Sequence, residues 1–505
     1  VTIGIAGIAT FRSGRIDVSD SLKNTSIGQN AGDSITTGER NTALGHNALS
    51  AVTTAGYNVA VGSFAGDAIT TGSINVAMGD YALSVLTTAS NNVAIGNNAL
   101  ENNNANHNTG IGQKALQDNT AASNTAVGSG ALQENTTGAD NTSVGAYSLD
   151  ANTTGASNTA LGRSALGSNT TADNNTAVGY DALAAATTGH SNVAVGKDAL
   201  LANTTGADNL AVGTEALESN TTASWNVAVG RKALQLNTTG DKSVAIGAYA
   251  MDANTTGGNS VACGYGALGA NTTGYNNTAV GRDALGNGTN IDYCVAIGNA
   301  ALKANTADFN TAVGSEALEA NTTGTGNIAI GFRALEANTT TNNCTAVGYL
   351  ALQSNTQGNN TAVGSGALNA NTTGSNNTSI GWDALKANTT GVSNIAMGSE
   401  ALVANTTASY NVALGVNTLV ASNANNNTAV GYQALKANTT GTHGVAVGSG
   451  ALDANTTGGN NVAIGYESLS TNTTGEHNVA IGSYALDANN GNNNVAMAVH
   501  ALGAN

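Results

Sequence analysis

The chain has 505 residues, of which 65 are Gly and none is Pro, and its formal net charge is −16. Charged residues make up only 9% of the chain, whereas ordinary globular proteins contain about 25%. The composition excludes a collagen, which needs Pro and strictly spaced Gly, and a highly charged disordered chain, while the lack of a basic stripe argues against nucleic acid as a partner.

A leading segment, residues 1–23, differs in pattern from the rest, and residues 24–505 form one continuous repeat array. We number each copy from the Gly that closes phrases such as AVG and call it position 0. These glycines run from Gly28 to Gly482, with Ala498 in the same place in the last copy. The 28 intervals between them comprise 22 of 17 residues and six of 16. Such regularity is the signature of a repeat architecture.

The residues before position 0 are typical of a short β-strand. Position −1 is always apolar, position −3 is β-branched except at Leu210, and position −2 is Ala in 25 of 29 copies. Because side chains alternate between the faces of a strand, positions −1 and −3 should face one way and −2 the other. We expect −1 and −3 to fill the interior.

A small residue at position +3 and Leu at +4 indicate a second wall, and NTTG indicates a turn, because the 16-residue copies lose their residue there. A helix is rejected, since about six residues are too few for a stable one. The sequence therefore predicts an all-β fold: a parallel β-solenoid, or β-roll, of about 29 rungs with 16–17 residues each, two short strands and two turns per rung.

Asn occupies position −4 in 24 of 29 copies, which predicts an internal ladder of stacked amides. Its members include Asn427, Asn461 and Asn478. The Asn of NTTG, as in Asn438 and Asn455, predicts a second ladder, although NTT also fits the N-glycosylation pattern.

Position −2 never exceeds Ser in size, which implies that another backbone approaches closely. One interpretation is a tight flat sheet inside one chain. The interpretation that we prefer from the sequence is contact between parallel copies of the chain around an axis, most simply three. The trimer-contact column would then include Ala429, Ala446, Ala463 and Ala480.

The phrase NNVAIG at 460–465, with NTAVG and NVAIG elsewhere, resembles the head repeats of YadA-like trimeric autotransporter adhesins. The array is also similar to repeats of phage tail-fibre-like proteins. The resemblance covers residues 24 to 505 and implies a left-handed parallel β-roll that associates as a homotrimer. The repeats of this chain are longer than those head repeats, and the extra residues fall in ANTTG.

No residue pattern points to an enzyme, a catalytic site, a metal site or a cofactor. Cys263 lies in the −1 column, where we expect a small apolar residue of the core. Cys294 and Cys344 replace the −4 Asn three rungs apart, about 14 Å, which is too far for a disulfide within the chain. A link between chains near a common axis remains open for them.

Aromatic residues recur at position +1, along one edge of the predicted solenoid. They either stack on sugars or receptor surfaces or pack along the edge and shield the ladder. The residues are Tyr180, Tyr265, Phe332, Tyr349, Trp382, Tyr432 and Tyr466.

We therefore expect a structural extracellular fibre or adhesin segment, a rigid rod for surface or host attachment on a cell or virion. Its partners would be copies of itself and a host-surface receptor or glycan, with no membrane span in the chain, since no apolar run approaches about 18 residues. The alternatives are an ice-binding β-solenoid, with Thr pairs such as Thr439 and Thr440 as the array, and a structural surface filament without a specific receptor.

Overall fold

The computed structural model describes residues 21–503, so the leading segment lies outside the described residues except for 21–23. The chain divides into two compact units, with a boundary between Thr222 and Ala223. Each unit is built from strands of three residues, one per repeat copy, and the described residues contain no helix.

The strands of the first unit are β1 Thr25–Ile27, β2 Thr42–Leu44, β3 Val59–Val61, β4 Val76–Met78, β5 Val93–Ile95, β6 Thr109–Ile111, β7 Thr125–Val127, β8 Thr142–Val144, β9 Thr159–Leu161, β10 Thr176–Val178, β11 Val193–Val195 and β12 Leu210–Val212. The strands of the second unit are β13 Val227–Val229, β14 Val244–Ile246, β15 Val261–Cys263, β16 Thr278–Val280, β17 Val295–Ile297, β18 Thr311–Val313, β19 Ile328–Ile330, β20 Thr345–Val347, β21 Thr361–Val363, β22 Thr378–Ile380, β23 Ile395–Met397, β24 Val412–Leu414, β25 Thr428–Val430, β26 Val445–Val447, β27 Val462–Ile464, β28 Val479–Ile481 and β29 Val495–Met497.

Within each unit, consecutive strands pair in parallel and in register. Ala177 of β10 lies beside Ala194 of β11, for example, and Ala429 of β25 lies beside Ala446 of β26. Equivalent positions of successive copies therefore stack on one another. The prediction of a parallel β-solenoid with one rung per 16–17 residues is confirmed.

The second wall is not a strand, and this part of the prediction was wrong. Positions +2 and +4 take the left-handed conformation, as at Gln433 (φ 57°) and Leu435 (φ 50°), which a strand does not tolerate. Neighbouring rungs still bond here, since the Leu435 N–H donates to the carbonyl oxygen of Ala451 at 3.0 Å. The wall is thus a stack of turns, and turn geometry, not strand geometry, points Leu inwards.

The Gly at position 0 has a specific steric reason. Gly431 has a φ of +132°, and an added Cβ would lie 2.6 Å from the carbonyl oxygen of Gly448 in the next rung. Both the backbone angle and the spacing therefore exclude a side chain.

The interior of the rungs is narrow, and the sequence-based assignment of the two strand faces is reversed. Position −2 is buried in every rung from Ala43 to Ala496, whereas positions −1 and −3 are half-buried or exposed. At Gly110, an added Cβ would lie 3.0 Å from the carbonyl oxygen of Ala115 and 3.1 Å from Cγ of Leu100. The opposite wall of the same solenoid thus approaches position −2, which keeps this column small.

Candidate interaction surfaces

The structure places the predicted trimer-contact column inside the solenoid, which corrects the sequence-based assignment. Ala429, Ala446, Ala463 and Ala480 are each 0% exposed within a single chain. They cannot line a surface between chains, because the turn wall of their own chain already covers them. The sequence interpretation of a tight sheet inside one chain accounts for the small residues of this column.

The Asn ladder at position −4 lies inside the solenoid. The Oδ1 atom of Asn461 accepts hydrogen bonds from the backbone N–H of Asn478 at 2.9 Å and from its Nδ2 at 3.2 Å. The Nδ2 group of Asn461 donates to the carbonyl oxygen of Gly475 at 2.7 Å. Asn427 accepts in the same way from the Gly444 N–H at 2.8 Å. The ladder satisfies buried backbone groups that a chain of short strands would otherwise leave unpaired.

The Asn residues of NTTG form a second buried ladder. Nδ2 of Asn455 donates to Oδ1 of Asn438, and Nδ2 of Asn472 donates to Oδ1 of Asn455, each at 3.0 Å. These side chains are at most 1% exposed. In the folded chain, the same burial removes them as acceptors for a glycan.

The outward side of the strands is an uncharged strip in which position −1 is apolar and position −3 is Val, Ile, Leu or Thr; we call positions −3 and −1 the strand face. Neither position carries a charged residue in any of the 29 copies. Several of its side chains are exposed by more than a third. Sequence reasoning missed this surface because it placed these apolar columns in the core. The exposed members at position −1 include Leu44, Ile95 and Leu161 in the first unit and Ile246, Ile297, Ile330, Ile464 and Ile481 in the second.

The cysteines offer no exposed thiol in the −4 column. Cys294 and Cys344 are buried, and desolvation raises the pKa of the Cys294 thiol to about 11. The prediction that these two cysteines could link neighbouring chains is therefore wrong for the folded chain. Cys263 lies at position −1 and is half-exposed, so its predicted place in the core is also wrong.

The aromatic residues predicted at position +1 are exposed along the edge of the turn wall. Their exposed fractions range from 39% for Phe332 to 56% for Tyr265. Some pair along the stack, since the rings of Phe332 and Tyr349 lie 5.7 Å apart with an interplanar angle of 13°. Others hold cations, as Arg163 lies 5.7 Å from the ring centroid of Tyr180. Both packing between rungs and an accessible ring face therefore exist at this edge.

Three acidic side chains, Glu316, Glu319 and Glu336, have carboxylate oxygens within 4.8 Å of one another. Nε of Arg333 lies 2.6 Å from Glu316 and 3.7 Å from Glu336. The guanidinium offsets the negative charge of the cluster, which is therefore an ion-pair network at the surface.

The Thr pairs do not present two equivalent columns. Oγ1 of Thr439 donates to the carbonyl oxygen of Thr456 at 2.9 Å, and Thr456 repeats this bond to Thr473. The hydroxyl of the first Thr of each pair thus serves the stack, while Thr440 is exposed. The ice-binding alternative stays a prediction that a thermal-hysteresis assay addresses.

No family model matches this chain, and a search of curated proteins finds no related sequence. Among residues 21–503, no helix has the length and apolar character that crossing a bilayer requires.

Proposed function

We propose that this chain is a structural fibre segment of the surface-adhesin or tail-fibre type, which works outside the cell and associates with parallel copies of itself. The observation that carries the proposal is the strand face. It recurs on every strand of each unit, it carries no charge, and its side chains are half-buried or exposed in the single chain. A repeated row of uncharged, largely apolar side chains left at the surface is typical of an interaction site.

A second copy of the chain is the partner that fits this face best. Copies aligned in parallel repeat the same spacing of about 4.8 Å between rungs, so side chains at −1 and −3 of one chain meet the same pattern in the next. A partner with charged groups would have to desolvate them against Val, Ile and Thr, which is costly. Of the possible stoichiometries we propose three chains around a common axis, in keeping with the resemblance to trimeric adhesin repeats.

The test compares the mass in solution of the native chain with that of a variant carrying charge on the strand face. In the variant, Val430→Lys, Val447→Lys and Ile464→Lys replace side chains at position −1, which points outward. We expect the native chain to have the mass of three chains and the variant that of one, with unchanged β-type circular dichroism. The matched control, Val403→Lys, Asp453→Lys and Ser470→Lys, adds lysines at position +5 and should stay trimeric.

Two results would contradict the proposal. One is a native chain that stays monomeric at micromolar concentration. The other is a strand-face variant that keeps its assembly, which would place the contact elsewhere. A mass of two chains would retain the strand face as the contact and reject three as the number.

A further inference from the structure

A stack of rings in the second unit has one layer missing. Arg333 lies 5.0 Å from the centroid of the Phe332 ring, and Phe332 in turn stacks on Tyr349. Two rungs beyond Tyr349, Trp382 occupies the same position, +1. The intervening rung has Ser365 at +1 and Gly366 at +2, so no large side chain fills the level between the two rings.

The missing layer is an open notch. Tyr349 and Trp382 both line it, together with Ser365, Gly366 and Asp383, and it has a volume of about 240 Å³. Tyr349 is 55% exposed and Trp382 is 54% exposed. Since Phe332 stacks on one face of Tyr349 nearly in parallel, the other face of that ring is turned along the stack, towards the notch.

The notch also holds polar groups at its floor. Nζ of Lys386 lies 2.9 Å from Oδ2 of Asp383. Asp383 is buried, with 8% of its surface exposed. An added Cβ at Gly366 would overlap Oδ1 of Asp383. Gly at 366 therefore lets the carboxylate lie against the backbone, where it can accept hydrogen bonds, while Lys386 can donate them.

The height of the gap favours a puckered ring over a flat one. Residues two rungs apart are about 9.5 Å apart along the stack. A contact of about 3.5–4.0 Å to each ring leaves about 2 Å between the contacting atoms. A planar nucleobase would reach only one ring, whereas a saturated sugar ring with its substituents spans that thickness.

We propose that the notch between Tyr349 and Trp382 binds a single pyranose residue of a glycan. The C–H faces of the sugar would lie against the two aromatic rings, and its hydroxyl groups would bond to Asp383 and Lys386. This deepens the proposed function, on which it rests for the idea that the fibre edge meets a surface. The volume is below the roughly 300–1,000 Å³ of drug-sized pockets, which fits one sugar ring and weak binding at each site.

Two other rungs with Ser-Gly at +1 and +2 serve as comparisons. At Ser449 and Gly450 the neighbours are again aromatic, Tyr432 and Tyr466, but Tyr466 meets Tyr484 edge-on at 81°, and hydrogen bonds with Glu467 and Tyr484 raise the pKa of Tyr466 to about 12. We expect weaker binding there. At Ser129 the +1 neighbours are Gln113 and Ala146, so no pair of rings encloses the site.

The experiment uses the fluorescence of Trp382. The chain has two Trp residues, and the background variant Trp225→Phe leaves Trp382 as the reporter. This protein is titrated with the hexasaccharides of cellulose, chitin and amylose, and with a panel of free hexoses and N-acetylhexosamines. We expect a saturable change in emission with at least one of these probes, with a dissociation constant on the order of 1 mM.

The deciding variant is Ser365→Tyr, which fills the missing layer with a residue that position +1 accepts in other rungs. It should lower the association constant at least tenfold with unchanged circular dichroism, and Tyr349→Ala should also lower it. The matched control Ser129→Tyr should leave binding unchanged. Binding that persists in Ser365→Tyr, or no response to any of these saccharides, would overturn the proposal.

Two further measurements test the saccharide assignment and its independence from trimer formation. Adenosine that gives a larger response than the sugars would reject the saccharide assignment. The strand-face lysine variant should bind sugar as the native chain does, because its substitutions lie outside the notch. A native chain that is monomeric but binds sugar would reject only the trimer, and a trimeric native chain that binds no sugar would reject only the saccharide site, so the two failures are distinguishable.

Discussion

The rung around Gly145 has 17 residues and the rung around Gly112 has 16, and their interiors are joined differently. In the longer rung the carbonyl oxygen of Gly155 accepts hydrogen bonds from Nδ2 of Asn141 at 2.9 Å and of Asn152 at 3.0 Å. The shorter rung lacks this Gly.

Where the 16-residue rung ends and Asn124 begins the next rung, the two Asn ladders meet directly. Nδ2 of Asn124 donates to Oδ1 of Asn119 at 3.1 Å, and the same contact recurs between Asn360 and Asn355. The comparison teaches that buried amides make the rung length adjustable, because Asn124 keeps its bond to the backbone carbonyl of Gly138 and adds one to the side chain of Asn119. The strand and position 0 are unaffected by the difference.

The largest expected effect comes from replacing the Gly at position 0, which both kinds of rung share. Gly415 begins a 16-residue interval and Gly431 a 17-residue one, with φ values of +137° and +132°. Replacing either with Ala should lower the free energy of opening by at least about 2 kcal/mol, because the backbone angle and the next rung both resist a Cβ. Native-state hydrogen exchange of the flanking peptides measures this locally, and markedly unequal losses would refute a common steric cause.

A smaller loss of stability should distinguish an Asn that follows a 17-residue rung from one that follows a 16-residue rung. Asn141→Ala removes the acceptor of the Asn158 N–H and one donor to Gly155, which should cost about 2–3 kcal/mol. Asn124→Ala removes the equivalent two bonds and also the bond to Asn119, so it should cost about 1 kcal/mol more. Hydrogen exchange on both variants checks the order, and a reversed order would show that the direct amide contact is not stabilising.

The smallest effect on stability is expected from an insertion that converts a 16-residue rung into a 17-residue one. A Gly inserted between Ala121 and Ala122 gives the short rung the 17-residue length of the rung that follows it. We expect its opening free energy to change by less than about 1 kcal/mol, because the extra residue enters a surface turn and supplies the shared carbonyl. Loss of protection in the strands on either side would instead show that rung length is fixed by the array.

The sequence was sufficient for the period, the parallel stacking and the two Asn columns, because each follows from a residue type repeated at a fixed spacing. It misled on the strand faces. The pattern at Thr428, Ala429 and Val430 predicts Val inside, as in most half-buried strands. In this solenoid the interior has room for only Ala opposite the Leu of the turn wall, so the larger residues face outward.

The sequence analysis did not identify the notch at Gly366, for a different reason. Ser-Gly at +1 and +2 was visible, and so were Tyr349 and Trp382, but the direction of a ring depends on its neighbours. Only the stacking of Phe332 on Tyr349 indicates that one ring face is turned towards the gap. A search for small residues between two aromatic residues of the same column would have found the place.

The in-register pairing of adjacent copies has a consequence for how the chain folds. Each strand bonds to residues 16 or 17 positions away, as Thr428 pairs with Val445, so a completed rung is a template for the segment that follows it. Folding can therefore begin at any rung of a unit and propagate to the neighbouring rungs on both sides. The characteristic error of such growth is a slip by one whole repeat, and the unevenly spaced 16-residue copies act against it because a slipped array no longer matches their length.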